Sequence, residues 1–263
     1  MKISVSGATG RMGKLIIEAV LCSDDLELAA AVTAPGVPEI GTDAGAAIGK
    51  TTGILISDDV QDLAKADVLI DFTRPQATLA YLPFCVAHNV GVVIGTTGFD
   101  AQSKEKIVEA ARSVPVVFAP NMSVGVNSVL KLLEIAGAML SQYDCEIVEM
   151  HHKHKVDAPS GTALEMGKRV AQGRGVDFDS VAVLSREGHT GERPDGAIGF
   201  AALRGGDVVG DHTVIFAGPG ERIEISHKSG SRAGYAQGAL TAARFLKDKS
   251  NGLFSMSDVL GFN

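Results

Sequence analysis

Apolar residues follow two rhythms along this chain, and the change from one to the other divides it. In the first half, short apolar runs near residues 3–5, 26–32, 68–72, 90–94 and 114–119 are separated by longer mixed stretches. After the first run, Met12, Leu15, Ile16, Ala19 and Val20 recur at helical spacing, which predicts an amphipathic helix. Pro75 follows the third run at a position suited to the first turn of another helix. Near-continuous apolar strands alternating with helices predict a parallel sheet covered on both faces. A helix over about 127–140, with Val129, Leu130, Leu133, Ala136 and Leu140 near one face, is expected to carry the chain out of this first domain. Beyond it the rhythm becomes that of strands. Residues 144–150 read as one strand, and 208–217, the turn Gly218-Pro219-Gly220 and 222–227 read as an antiparallel hairpin. No helical pattern separates the late strands, so a smaller α+β unit with an open, mixed sheet is expected. The alanine-rich stretch 235–246 predicts a closing helix that packs back on the first domain. The expected division is 1–122, joined by 233–263, and 123–232.

Composition narrows the partners. A chain of 263 residues has room for two modest domains, and 31 glycines with no tryptophan suit an α/β protein with many tight turns. Acidic residues outnumber basic ones 31 to 24 and no long basic stripe occurs, which argues against a nucleic-acid groove and for a small-molecule ligand. Cys22, Cys85 and Cys145 are odd in number and widely spaced, so neither a disulfide framework nor a metal knuckle is indicated, and a reducing cytoplasm fits. The opening MKISVSGATG breaks into glycine before a signal core forms, and no apolar run approaches the ~18 residues a membrane span needs.

The first turn carries the first chemistry. Gly7-Ala8-Thr9-Gly10-Arg11-Met12-Gly13 is a GxxGxxG turn between a strand and a helix. A dinucleotide site needs that order, because backbone must approach a pyrophosphate whose charge is met by amides at the helix N-terminus. The competing reading is an ordinary glycine-rich turn. With the alternating strands, it leads us to expect a Rossmann-type doubly wound parallel sheet followed by the smaller α+β domain. In such a sheet the strand C-terminal ends face the ligand, which singles out Thr73, Gly95-Thr96-Thr97-Gly98 and Pro120-Asn121. The second strand ends in Thr33-Ala34-Pro35, with neither the carboxylate that selects NAD nor an arginine that selects NADP.

The second chemistry lies in HHKHKVDAPSGT, His151 to Thr162. Three histidines and two lysines in five positions stand out in a chain of formal net charge −7. A metal site built on His151, His152 and His154 lacks an acidic or cysteine ligand within the cluster, and adjacent lysines would oppose a cation. A solvated basic loop is the plain alternative. An anion site with a proton donor is the third, since imidazole titrates near neutrality and a lysine holds a carboxylate as a point charge. Ser160-Gly161-Thr162 then opens a helical run, aiming a helix N-terminus at the same place, which favours the third reading and a dicarboxylate ligand.

The strings SGATGRMG, IDFTRP, GTTGF, NMSVGVN, EMHHKHKVDAPSGTA and SREGHTGER, spread over residues 6–193, closely resemble the 4-hydroxy-tetrahydrodipicolinate reductase (dihydrodipicolinate reductase) family of bacterial diaminopimelate and lysine biosynthesis. The resemblance implies His151 as proton donor and Lys155 as a carboxylate ligand that assists protonation. It implies substrate contacts from His152, Ser160, Gly161 and Thr162. It places Gly7, Ala8, Thr9, Gly10, Arg11, Met12, Thr33, Gly95, Thr96, Thr97, Ala119, Pro120, Asn121 and Met122 around NADH or NADPH, with no metal. It also implies a homotetramer built through the C-terminal sheets. Some members carry an acidic residue where this chain has Thr33, which leaves the NADH/NADPH preference open. The readings that compete are another NAD(P)-dependent dehydrogenase of small dicarboxylates and an NAD(P)H-sensing protein without turnover.

Overall fold

A computed structural model describes residues 1–262. Strand β1 (Lys2–Ser6) leads through the glycine turn into helix α1 (Arg11–Leu21), and β2 (Glu27–Val32) and the short β3 (Ile56–Ser57) follow. Then come β4 (Val68–Asp71), α2 (Pro75–His88), β5 (Gly91–Ile94), α3 (Ala101–Ala111) and β6 (Pro115–Phe118). Helix α4 (Val124–Met139) opens a second series: β7 (Asp144–His151), α5 (Gly161–Arg174), α6 (Phe178–Val181), β8 (Ala182–Val183), β9 (Ile198–Arg204), β10 (Gly210–Gly218) and β11 (Glu221–Ser229). The chain closes with α7 (Ala233–Leu246), β12 (Gly252–Phe254) and α8 (Met256–Leu260).

Two compact units result, one of Met1–Val124 with the chain from Arg232 onward, the other of Gly125–Ser231. The first holds a seven-stranded sheet in the order β12-β6-β5-β4-β1-β2-β3, parallel throughout. Strand order reverses between β1 and β4, the doubly wound arrangement expected from the alternating runs. Its central strands are apolar on both sides: Val92, Val93 and Ile94 of β5 are each within 1 % of full burial. Each such side chain contributes about 1.5–3 kcal/mol of burial free energy, which is why these strands read as runs and not as alternation. Helix α7 buries Ala236, Ala239, Leu240, Ala242 and Ala243 in the same core as α1, so the closing helix belongs to this unit. The three residues of β12 carry no periodic signal; pairing with the edge of β6 makes them a strand.

The second unit holds a mixed five-stranded sheet, β11-β10-β7-β9-β8, in which β7 runs antiparallel to β10 and parallel to β9. One face is covered. Cys145, Ile147, Ile198, Phe200, Val214 and Phe216 pack there with Leu133 of α4 and Met166 and Val170 of α5. The other face is partly open, with Leu203 51 % exposed beside half-buried Val148, Met150 and Ile215. The antiparallel hairpin expected from the sequence forms, turning at Pro219-Gly220 with Gly218 opposite Glu221.

Candidate active site

In the first unit, α1 starts immediately after the turn. Its N-cap, Gly10, offers no side-chain cap, and no acidic residue stands in the first turn, so the amides of that turn face no competing anion of their own helix. Gly7 has φ +66°, a left-handed conformation that glycine adopts without strain. Gly13 is required for space: a Cβ there would lie 2.1 Å from the Gly7 carbonyl oxygen. Gly7 itself leaves 3.0 Å between its missing Cβ and the Thr73 methyl, which follows β4. The glycine turn therefore sits at the strand reversal, where doubly wound sheets bind ligands. These features fit a pyrophosphate against the turn, with Gly7–Met12 as its cradle.

The other predicted positions of this unit divide by exposure. Gly10, Arg11, Thr97 and Pro120 are exposed at strand C-terminal ends, and Met12, Thr9, Gly95 and Asn121 are partly so. Ala8, Ala119 and Met122 are buried in the core, so any ligand meets their backbone and not their side chains. Thr33 is 4 % exposed and its hydroxyl is 2.8 Å from that of Thr9, which leaves Ala34 and Pro35 as the exposed end of β2. Gly95 is glycine because the Phe72 ring lies where a Cβ would be, at 2.3 Å; β4 itself ends at Asp71, where its pairing with β1 and β5 stops, one residue short of the apolar run.

Asp71 was not anticipated. Fully buried, it accepts hydrogen bonds from Ser6, Thr73, Thr78 and Thr96, tying together the ends of β1, β4 and β5 and the start of α2. Four hydroxyls satisfy the carboxylate, and in return it fixes the loops that carry Thr73 and Thr96. A cavity of about 420 Å³ also opens in this unit, bordered by Asp67, Asn89, Lys247 and Lys249. It lies at the N-terminal ends of β4, β5 and β6, opposite the chemistry, and contains none of the predicted residues.

In the second unit, sheet register assembles the site. Glu149 and His151 lie two apart on β7 and point to the same, covered face. His212 of β10 stands opposite Glu149, and Arg204, the last residue of β9, stands opposite His151. The Glu149 carboxylate, 1 % exposed, accepts from His151 Nδ1 at 2.6 Å, from both terminal nitrogens of Arg204 at 2.8 and 2.9 Å, and from the Ser160 amide at 3.1 Å. Burial pushes the Glu149 carboxyl upward, but the Arg204 guanidinium and then His151 more than offset this, and the net displacement is below the ordinary glutamate value. Arg204 is raised, chiefly by its bond to Glu149. His212 donates to or accepts from the Ser160 hydroxyl through Nε2 at 3.0 Å, and its ring meets that of His151 edge-on at 5.1 Å between centroids. Burial first, then repulsion from His151, lowers the His212 pKa to about 4, so it is neutral at physiological pH.

HHKHK does not stay together. His151 is buried at the strand end; Lys153 and His154 are exposed; His152 is half-buried, with its Nδ1 unpartnered among the described residues. Lys155 turns back so that Nζ lies 2.8 Å from Asp157, whose carboxyl is lowered chiefly by that bond. The three histidines do not converge, and among the described residues no group of His, Cys, Asp or Glu side chains is placed to hold a metal ion. Ser160 is the N-cap of α5: its hydroxyl accepts from Ala163 and pairs with His212, and its amide is on Glu149. Both of its polar groups expected at a ligand are thus already engaged within the protein. Gly161 and Thr162, the first two residues of α5, keep amides with no intrahelical acceptor. Gly210 lies against His151: a Cβ there would be 3.1 Å from Nε2, so glycine leaves that nitrogen room.

Glu149 was detectable in the sequence, because strand alternation puts it on the His151 face. Arg204 and His212, 53 and 61 residues after His151, carry no local signal. Cys145 is buried and its thiol is pushed up to about 12 by that burial, which makes it a poor nucleophile and weakens the semialdehyde-dehydrogenase reading. No helix among the described residues is long and apolar enough to cross a membrane.

Known proteins resemble this chain over nearly its whole length. A solved structure of dipicolinate-bound dihydrodipicolinate reductase from Paenisporosarcina sp. TG-14 has the same fold, with a TM-score of 0.78 at 23 % identity over 97 % of each chain. The 4-hydroxy-tetrahydrodipicolinate reductases of Polynucleobacter necessarius and Cupriavidus metallidurans are each 60 % identical to this chain, over 99 % of both sequences. The family model for the dihydrodipicolinate reductase N-terminus matches residues 1–122 and that for its C-terminus matches residues 125–260, and the chain belongs to the dihydrodipicolinate reductase family.

Proposed function

We propose that the protein reduces 4-hydroxy-tetrahydrodipicolinate to tetrahydrodipicolinate in the cytoplasm, using NADH or NADPH and no metal. The observation that carries this reading is a histidine held by one nitrogen to a buried carboxylate, with glycine leaving its other nitrogen clear, beside a helix N-terminus. In this reading the first unit binds the dinucleotide through the Gly7–Met12 turn and the loops at Gly95–Thr97 and Ala119–Met122. When bound, the cofactor supplies the hydride. His151 delivers the proton from Nε2, which suits an electron-rich product of hydride addition. Lys155 exchanges Asp157 for a substrate carboxylate, while the Gly161 and Thr162 amides and His152 receive the second. Ser160 shapes the site by capping α5 and orienting His212. The partner is a small dicarboxylate, with neither nucleic acid nor membrane involved.

Oxidation of NADH and NADPH, followed with freshly generated pathway substrate, tests the reading. Turnover that requires that substrate supports it, and cofactor binding without turnover rules it out. The open sheet face of the second unit, with Val148, Met150 and Ile215 half-buried beside exposed Leu203, supports a homotetramer. Light scattering should give a mass near four times 27.3 kDa, and a monomer at micromolar concentration would contradict the assembly.

A further inference from the structure

Glu149 has no assigned part in the reaction, yet no other carboxylate in the second unit is so deeply buried and so fully bonded among the described residues. Burying an ionised carboxylate is costly unless it is paired, and here a bidentate guanidinium and a backbone amide pair it. That arrangement leaves one acceptor direction for the His151 ring. Because the carboxylate stays ionised, it can only accept, so Nδ1 of His151 must be the nitrogen that keeps a proton. We infer that Glu149, clamped by Arg204, is the positioning residue that fixes the tautomer of His151, so that Nε2 is the nitrogen that gives up and regains the proton. This rests on the proposed role of His151 as proton donor.

The rest of the geometry agrees. Arg204 also bonds the Leu203 and Asp157 carbonyl oxygens, so the clamp is anchored at the strand end and on the chain that carries Lys155. His212 crowds the other edge of the His151 ring and is itself held by Ser160, so the ring has little freedom to turn over. A neutral His151 with its proton on Nε2 would place a bare Nδ1 against a carboxylate, two acceptors 2.6 Å apart. Glu149 thereby restores the same starting state after every proton transfer, as buried carboxylates do for the histidines of hydrolytic triads.

The test combines side-chain nitrogen NMR of histidine-labelled full-length protein with steady-state kinetics. In the wild type, the neutral form of His151 should show the proton on Nδ1. Glu149→Gln presents an amide that can donate or accept, so both tautomers should appear and kcat should fall about 10²-fold with KM for either cofactor unchanged. Glu149→Asp, which keeps the charge, should retain the Nδ1–H signature and recover part of kcat. A single Gln substitution leaves Arg204 without its anion, so the pair Glu149→Gln with Arg204→Met is made alongside it and should give the same loss of tautomer control. A Glu149→Gln or double variant with the Nδ1–H tautomer and wild-type kcat overturns the inference. His151→Gln separates this from the parent reading: if its kcat is normal the proton-donor role fails, whatever the NMR of Glu149 variants shows.

Discussion

In the proposed reading the two units meet their ligands by different means. In the first, the proposed contact surface is main chain: a turn with Gly7 left-handed, Gly13 allowing the helix to close on it, and amides at the start of α1. In the second it is side chain: His151, Lys155 and His152, oriented by Glu149, Arg204 and His212 from three adjacent strands. A backbone site accepts many side chains around it but no added volume in it. A side-chain site tolerates volume nearby but depends on each hydrogen-bonding partner. The difference teaches where each half is vulnerable.

Adding a side chain inside the turn should have the largest effect. Gly13→Val puts atoms where Gly7 oxygen already stands, and cofactor binding, read by NADH fluorescence titration, should fall by more than about a hundredfold. Near-normal binding would show that the turn is not the cradle. On the side-chain half, Lys155→Ala should lower kcat/KM for substrate about 10²-fold, with both kcat and KM affected, because a substrate carboxylate is left unpaired. A change confined to cofactor affinity would move Lys155 out of that half.

The third effect is on stability. His212 has a folded pKa of about 4 against an unfolded value of 6.5, so as pH falls from 6.5 to 4 the unfolded chain takes up a proton that the folded chain refuses. Folding stability should therefore drop by about 3 kcal/mol over that window and stop responding to this group below it. Denaturant titrations should show a shallower decline from pH 6.5 to 4.5 in His212→Gln, and an unchanged slope would mean His212 is protonated in the native protein. The smallest effect concerns cofactor choice. Wild-type kcat/KM for NADH and NADPH should lie within a hundredfold, since the end of β2 offers neither carboxylate nor guanidinium. Because Thr33 is buried on Thr9, the exposed Ala34 is the better place for a new charge. Ala34→Glu should favour NADH by about tenfold, and a swing towards NADPH would refute this account of the strand end.

The same contrast explains what could be read in advance. The parallel sheet was legible because burial on both faces writes itself as apolar runs, and the glycine turn because close approach excludes every other residue. The mixed sheet was legible only in outline, and β3 and β12 were not, being two and three residues long. In the site, His151 and Lys155 stood out as a cluster, but the structure separates them: one is buried on Glu149, the other turned to Asp157. Ser160 adjoins Gly161 and Thr162 in sequence, but its bonds to the α5 amide and to His212 could not be read from that spacing. Arg204 and His212 were invisible because strand pairing, which no local pattern specifies, brings them to Glu149.

The central claim, that the side-chain half performs the proton transfer, is tested most directly by single-turnover kinetics of His151→Gln at saturating cofactor and substrate. The account predicts that NADPH and NADH bind as in the wild type while the rate of cofactor oxidation falls about 10²-fold or more. An unchanged single-turnover rate, or a loss explained wholly by weaker cofactor binding, would contradict it.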